Sequence, residues 1–176
     1  MKPEMSSAEE ILLKSFSSGE KLPNSYLRKI LQEELRVKNF KGVFPCDRVK
    51  KLREGESLIL NTDPHQLPGK HFVALTKKRG RIIYFDSLAE DMKIEFPELY
   101  RALQRRGMLP VLPVLKSPIQ AMDSNFCGLF CIDYILTLHS PYSRVNSAKY
   151  ELKTARLRKN DQICLENVLR KVKAKK

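Results

Sequence analysis

The sequence has no tryptophan at all, and it is sparing with glycine and cysteine. Seven Gly and ten Pro in 176 residues are not an excess, and hydrophobic residues make up 42% of the chain. That balance excludes low-complexity disorder and leads one to expect a buried core. Four Cys are too few to staple a chain of this length with disulfides. Cys46, Cys127, Cys131 and Cys164 also lack zinc-site spacing, with no Cys-x-x-Cys and no nearby His pair, so no metal is expected. In a reducing compartment such thiols are free to serve as small core residues or as a nucleophile. There is no run of eighteen apolar residues, and no membrane span is expected. The opening Met1 to Ser7 lacks the apolar stretch of a signal peptide. No internal repeat or long linker divides the chain, whose length suits one domain over 1–176.

Positive charge is abundant. Thirty-three Lys and Arg stand against 20 Asp and Glu, a formal net of +13. Such an excess favours polyanionic partners, nucleic acid above all, although it also makes a plain soluble surface. From Arg144 to Lys176 there are 11 basic residues against Glu151, Asp161 and Glu166, a net of +8. Candidate phosphate contacts are Lys50, Lys51, Lys77, Lys78, Arg79, Arg170, Lys171 and Lys173. They are not interleaved with aromatic residues, so sequence-specific readout is not suggested.

Periodicity predicts an α+β fold: a small mixed or antiparallel sheet on a central buried helix, flanked by further helices. Helices are expected over 1–38, one from Ser7 to Phe16 capped by Ser7 and one capped by Asn24 with Leu27, Ile30, Leu31 and Leu35 on its face. Lys38 to Cys46, with Gly42 and Pro45, reads as a loop. Ser57 to Asn61, His71 to Leu75 and Arg81 to Phe85 read as strands, with Lys77 to Gly80 as a basic hairpin tip. Phe96 to Gly107 reads as a helix, and Leu109 to Leu115, broken by Pro110 and Pro113, as an edge strand. A strongly apolar helix from about Phe126 to Leu138, capped by Ser124, reads as buried. Beyond a core over 40–140, a basic helical C-terminus over 144–176 is expected from two amphipathic segments, Ser147 to Arg158 and Asp161 to Lys173.

Four residues fall on this scaffold in a suggestive way. His71 opens one strand and Asp86 follows the next, so an antiparallel hairpin brings them to one sheet edge. Cys127 lies in the first turn of the buried helix, where the positive end of the helix dipole favours thiolate. An adjacent imidazole would complete an ion pair, and a carboxylate would orient it. Gln120, on the loop leading into that helix, would join the Cys127 N–H as an oxyanion donor. Each residue also has a purely structural reading: a half-exposed His at a strand end, a turn Asp before Ser87, a core Cys, a loop Gln. Their joint order and placement favour catalysis.

The string Asp123-Ser124-Asn125-Phe126-Cys127-Gly128-Leu129-Phe130-Cys131 resembles the nucleophile segment of the adenovirus endopeptidase (adenain-like) family. Gln120, seven residues upstream of Cys127, is similar to that family's oxyanion Gln. Asn61-Thr62 followed by Gly69-Lys70-His71 is similar to its catalytic His segment, and Tyr84-Phe85-Asp86-Ser87 falls where its acidic member lies. Phe40-Lys41-Gly42-Val43-Phe44 looks like an early Phe-x-Gly-x-Phe loop. The likeness runs from about Phe40 to Leu138. One departure is Phe72, since the residue after the catalytic His is usually Trp in this clan.

The resemblance implies a papain-like core in permuted order and a cysteine endopeptidase with His71, Asp86, Gln120 and Cys127 at its site. It implies processing of virion or capsid precursors near small residues, in a double-stranded DNA virus or a Polinton (Maverick) transposon. DNA and a viral peptide are implied as activators, and host nucleus or cytoplasm, with packaging in the virion, as the setting. No other cofactor is implied. The same clan includes the SUMO-specific proteases, so an isopeptidase acting on a ubiquitin-like modifier is one alternative. A basic nucleic-acid-binding or virion structural protein with an inert Cys127 is another.

Overall fold

Residues 5–175 are described by a computed structural model. Met1 to Glu4, part of the N-terminal stretch considered above for a signal segment, lie outside them, as does Lys176 of the basic C-terminus.

Two N-terminal helical segments come first: α1 (Ser7–Ser18), and α2 (Asn24–Arg28), which continues in π-helical turns over Lys29–Glu34. Ser6, not Ser7, caps α1. Its hydroxyl accepts from the Glu9 N–H while the Glu9 carboxylate accepts from the Ser6 N–H at 2.7 Å, a reciprocal capping box. Asn24 is already helical and Pro23 takes the cap position without a side-chain bond.

The sheet has five strands in the order β1 (Phe40–Pro45), β2 (Ser57–Asn61), β3 (Phe72–Lys78), β4 (Arg81–Phe85) and β5 (Val111–Pro113). The central pairs β2–β3 and β3–β4 are antiparallel, and the two edge pairs are parallel, so the sheet is mixed. Lys38 to Cys46 is thus corrected from loop to edge strand. Gly42 adopts φ +122°, and the register slips between Phe40 and Val43. The residues that read as turn formers make a bulge and an end to the strand, and an edge position tolerates both.

Strands β2 and β3 are apolar almost throughout because both faces of the sheet are covered. Ile59, Phe72, Ala74 and Phe85 face one core, with α1, α2, α5 (Cys127–Leu138) and α6 (Lys159–Lys173). Leu58, Leu60, Val73, Leu75 and Tyr84 face the other, with α3 (Met92–Glu95) and α4 (Pro97–Arg105). Helix α5 packs on β3 and against α6. The fold is α+β, and among the described residues no helix is long and apolar enough to cross a membrane.

The segment from Ser147 to Arg158 is not the amphipathic helix its pattern suggests; a single short turn at Thr154–Arg156 is its only regular element. Two buried Asn of α6 take up its backbone groups. Asn167 bonds both the N–H (2.8 Å) and the carbonyl (3.0 Å) of Ala148, and Asn160 does the same for Glu151 at 2.7 and 2.8 Å. At Ala148 and Glu151 the backbone groups are thereby satisfied without helical bonds.

Candidate active site

The β3–β4 hairpin determines the first contact. Its register pairs Ala74 with Phe85, which leaves His71, just before β3, and Asp86, just after β4, at the same end of the sheet. There His71 Nε2 donates to Asp86 Oδ1 at 2.6 Å. The Asp86 carboxylate also accepts from the backbone N–H groups of Leu88 (2.9 Å) and Glu90 (3.1 Å), so its orientation is fixed from two sides. Phe96 stacks on the His71 ring at 5.6 Å between centroids, closing one face of the imidazole. Cys127 is close enough to His71 for each group to shift the other's pKa.

Cys127 is the first residue of α5, where helix N–H groups lack intrahelical acceptors and the dipole is positive. Burial works against its thiolate. The hydrogen bond and charge of His71, the charge of Lys21 and the Phe72 N–H outweigh it, and the thiol pKa falls below its usual value. The other three cysteines go the opposite way: burial pushes Cys46 up to about 11 and raises Cys131 and Cys164 well above the usual range. Cys127 is therefore the thiol disposed to ionise. Burial likewise opposes the His71 imidazolium, but Asp86 and Cys127 prevail and its pKa rises to about 9. The two shifts together favour a thiolate–imidazolium pair.

Gln120 is 2% exposed, on the loop before α5. Ser87 Oγ donates to its Oε1 at 2.6 Å, and its Nε2 donates to the Ser124 carbonyl at 2.7 Å. The first bond decides which end of the amide donates, leaving a second N–H on Nε2 for another acceptor. Ser124 does not cap α5 as expected: Phe126 holds the cap position, and Ser124 Oγ donates to Asp161 Oδ1 of α6 at 2.9 Å. Neighbouring Asn160, fully buried, donates to the carbonyl of Ile119 at 2.7 Å. The start of α6 thus holds the Gln120 loop at two points.

All four predicted site residues are buried, and the geometry brings His71, Asp86 and Cys127 together with Gln120 on the adjoining loop. Sequence reasoning missed Ser87, Phe96, Lys21 and Asn160. Ser87 was visible as the neighbour of Asp86. Asn160 carries no local signal, since its partners lie 9 and 41 residues away.

His71, Asp86 and Glu90 offer three ligand atoms within 4.8 Å of one another, a spacing that a cation could bridge. Within this group His71 Nε2 and Asp86 Oδ1 are hydrogen-bonded to each other.

The basic candidates separate. Lys51 and Lys77 line a hollow with Arg81 and Arg106, and Lys78 and Arg79 line its neighbour with Arg81, so the hairpin tip gathers one strongly positive surface. Lys50 lies over the Phe44 ring at 4.9 Å. Arg170 pairs with Glu166 at 3.7 Å, and Lys173 is exposed. Lys171 is corrected as a phosphate contact: it is fully buried, bonded to Asp133 of α5 and, at 3.0 Å, to Thr137.

No family model matches the chain, and no curated protein matches it.

Proposed function

We propose that this protein is a cysteine endopeptidase with Cys127 as nucleophile. The observation that carries the reading is the Asp86–His71–Cys127 alignment, in which Cys127 alone of four thiols has a lowered pKa. The Cys127 thiolate attacks a peptide carbonyl carbon, forming a C–S bond. The Gln120 amide and the Cys127 N–H receive the charge on the carbonyl oxygen. As the C–N bond breaks, the His71 imidazolium gives its proton to the leaving amine. Neutral His71 then takes a proton from water, whose oxygen attacks the thioester; the C–S bond breaks and the thiolate–imidazolium pair returns. Asp86 holds the ring throughout.

The motif resemblance extends the proposal to precursor proteins of a virus or a virus-like transposon, cut near small residues. The positive surface at the β3–β4 tip supports DNA as a partner, through phosphate contacts without base readout.

A peptide carrying a thiol-directed electrophile tests the central claim. Labelling should fall on Cys127 far ahead of Cys46 and Cys164, and His71→Ala should suppress it. Even labelling of all four thiols would refute the peptidase reading. Gln120→Ala should retain labelling while lowering peptide turnover roughly 100-fold, since one oxyanion donor is worth about 3 kcal/mol.

A further inference from the structure

The loop joining α1 to α2 reaches the reacting end of the sheet. Lys21 Nζ donates to the carbonyls of Gly69 (3.0 Å) and Lys70 and stands 5.2 Å from the centre of the Phe72 ring. Its charge is felt at Cys127. Beside it opens a cleft of about 510 Å³ lined by Lys21, Asn24, Arg28, Asn61, Gly69 and Phe72, among others. The polypeptide comes close here. A side chain at Gly69, whose φ is +85°, would collide with the Asn61 amide, at 1.7 Å, so the Gly keeps this wall of the cleft thin.

The charge of the cleft is one-sided. Lys21 and Arg28 line it, and no carboxylate does. Arg28 donates to the Val43 carbonyl at 3.2 Å, and among the described residues neither cation has a carboxylate partner. Elsewhere on the surface Lys41, Arg101, Arg156 and Arg158 each meet an acid of this chain. An ammonium has three N–H donors; Lys21 has placed two on carbonyls, and one remains.

We propose that this cleft is a substrate subsite that takes an acidic side chain close to the scissile bond, with Lys21 as its specificity-determining residue. The inference rests on the peptidase reading above. A carboxylate seated here accepts a charge-assisted hydrogen bond from Lys21 and shares the field of Arg28, against an aromatic floor that keeps water away. The contact exists before and during acyl transfer alike, so it acts on substrate binding and is read in KM more than in kcat.

A positional-scanning library of internally quenched peptides, with Asp compared with Asn at each position flanking the cleaved bond, provides the test. The expected result is one position where Asp lowers KM about tenfold relative to Asn at similar kcat. Lys21→Glu should reverse the preference there, favouring Lys over Asp. Lys21→Met, which keeps the apolar contact with Phe72, should abolish the preference, with Asp and Asn cleaved at equal efficiency whatever the variant's own rate. Cleavage with equal efficiency for Asp and Asn at every position overturns the subsite and leaves the peptidase intact. Retention of the Asp preference in both Lys21 variants overturns it as well. If the library is not cleaved and Cys127 is not selectively labelled, the peptidase reading fails and the subsite fails with it.

Discussion

At the residue scale, the site depends on opposed shifts in two neighbouring groups. Burial alone would leave both Cys127 and His71 neutral; the bond that His71 donates to Asp86 and the mutual influence of His71 and Cys127 reverse that. The sign of the pH dependence follows. As pH rises through about 9, His71 loses the proton that the proposed mechanism gives to the leaving amine, so kcat/KM should fall on that side. The rising limb belongs to Cys127 and lies at lower pH, because its thiolate is stabilised. Asp86→Asn removes a principal cause of the elevated His71 value and should move the falling limb to lower pH. A pH–rate profile of both proteins checks this; a limb that stays in place would show that Asp86 does not govern the imidazole. Phe72 belongs to this scale too. It is 2% exposed, touches the space beside Gly128 and presents its ring to Lys21, so the position usually held by Trp in the resembled clan still supplies an apolar wall.

At the element scale, α6 does more than complete the core. Asn160 and Asp161 at its start hold the Gln120 loop, while Lys171 near its end is joined to Asp133 in the middle of α5. The Asp133 carboxylate also accepts from the Tyr150 hydroxyl at 2.5 Å, so one buried acid links α5, α6 and the irregular segment between them. Removing one partner of a buried pair leaves the other charged and unsatisfied, at a cost of about 3–5 kcal/mol. Lys171→Ala should lower stability by that amount in urea unfolding. Replacing both partners, with Lys171→Met and Asp133→Asn, which keeps an acceptor for the Tyr150 hydroxyl, should lose less. A loss below about 1 kcal/mol for Lys171→Ala would mean that the pair behaves as a solvated surface bridge.

At the scale of the whole molecule, the sheet separates two chemistries. The candidate site residues lie where β3 begins, at Phe72, and the basic cluster where it ends, at Lys78. At ~3.3 Å per residue the strand places them about 20 Å apart. A polyanion on the hairpin tip therefore does not cover Cys127. Lys78→Glu combined with Arg79→Glu should weaken binding of duplex DNA and flatten its salt dependence by about two in log–log slope, with peptide turnover in the absence of DNA unchanged. An unaltered slope would remove the hairpin tip as the DNA surface.

The sequence by itself determined the elements whose information is local. Strand periodicity gave β2, β3 and β4; an apolar run gave α5; and hairpin geometry placed His71 beside Asp86. These survive because alternation, helical spacing and hairpin geometry act within a few residues of one another. The tertiary structure decided what depends on partners far along the chain. Lys38 to Cys46 became a strand because β2 offered an edge, and Ser147 to Arg158 runs irregularly with Asn160 and Asn167 bonded to its backbone at Glu151 and Ala148. Lys171 left the basic surface because Asp133 awaited it in the core, and Ser87 gained its role only when folding set it against Gln120. A charge pattern cannot tell a buried Lys from an exposed one. Burial is fixed by what packs opposite, and that is a property of the assembled fold.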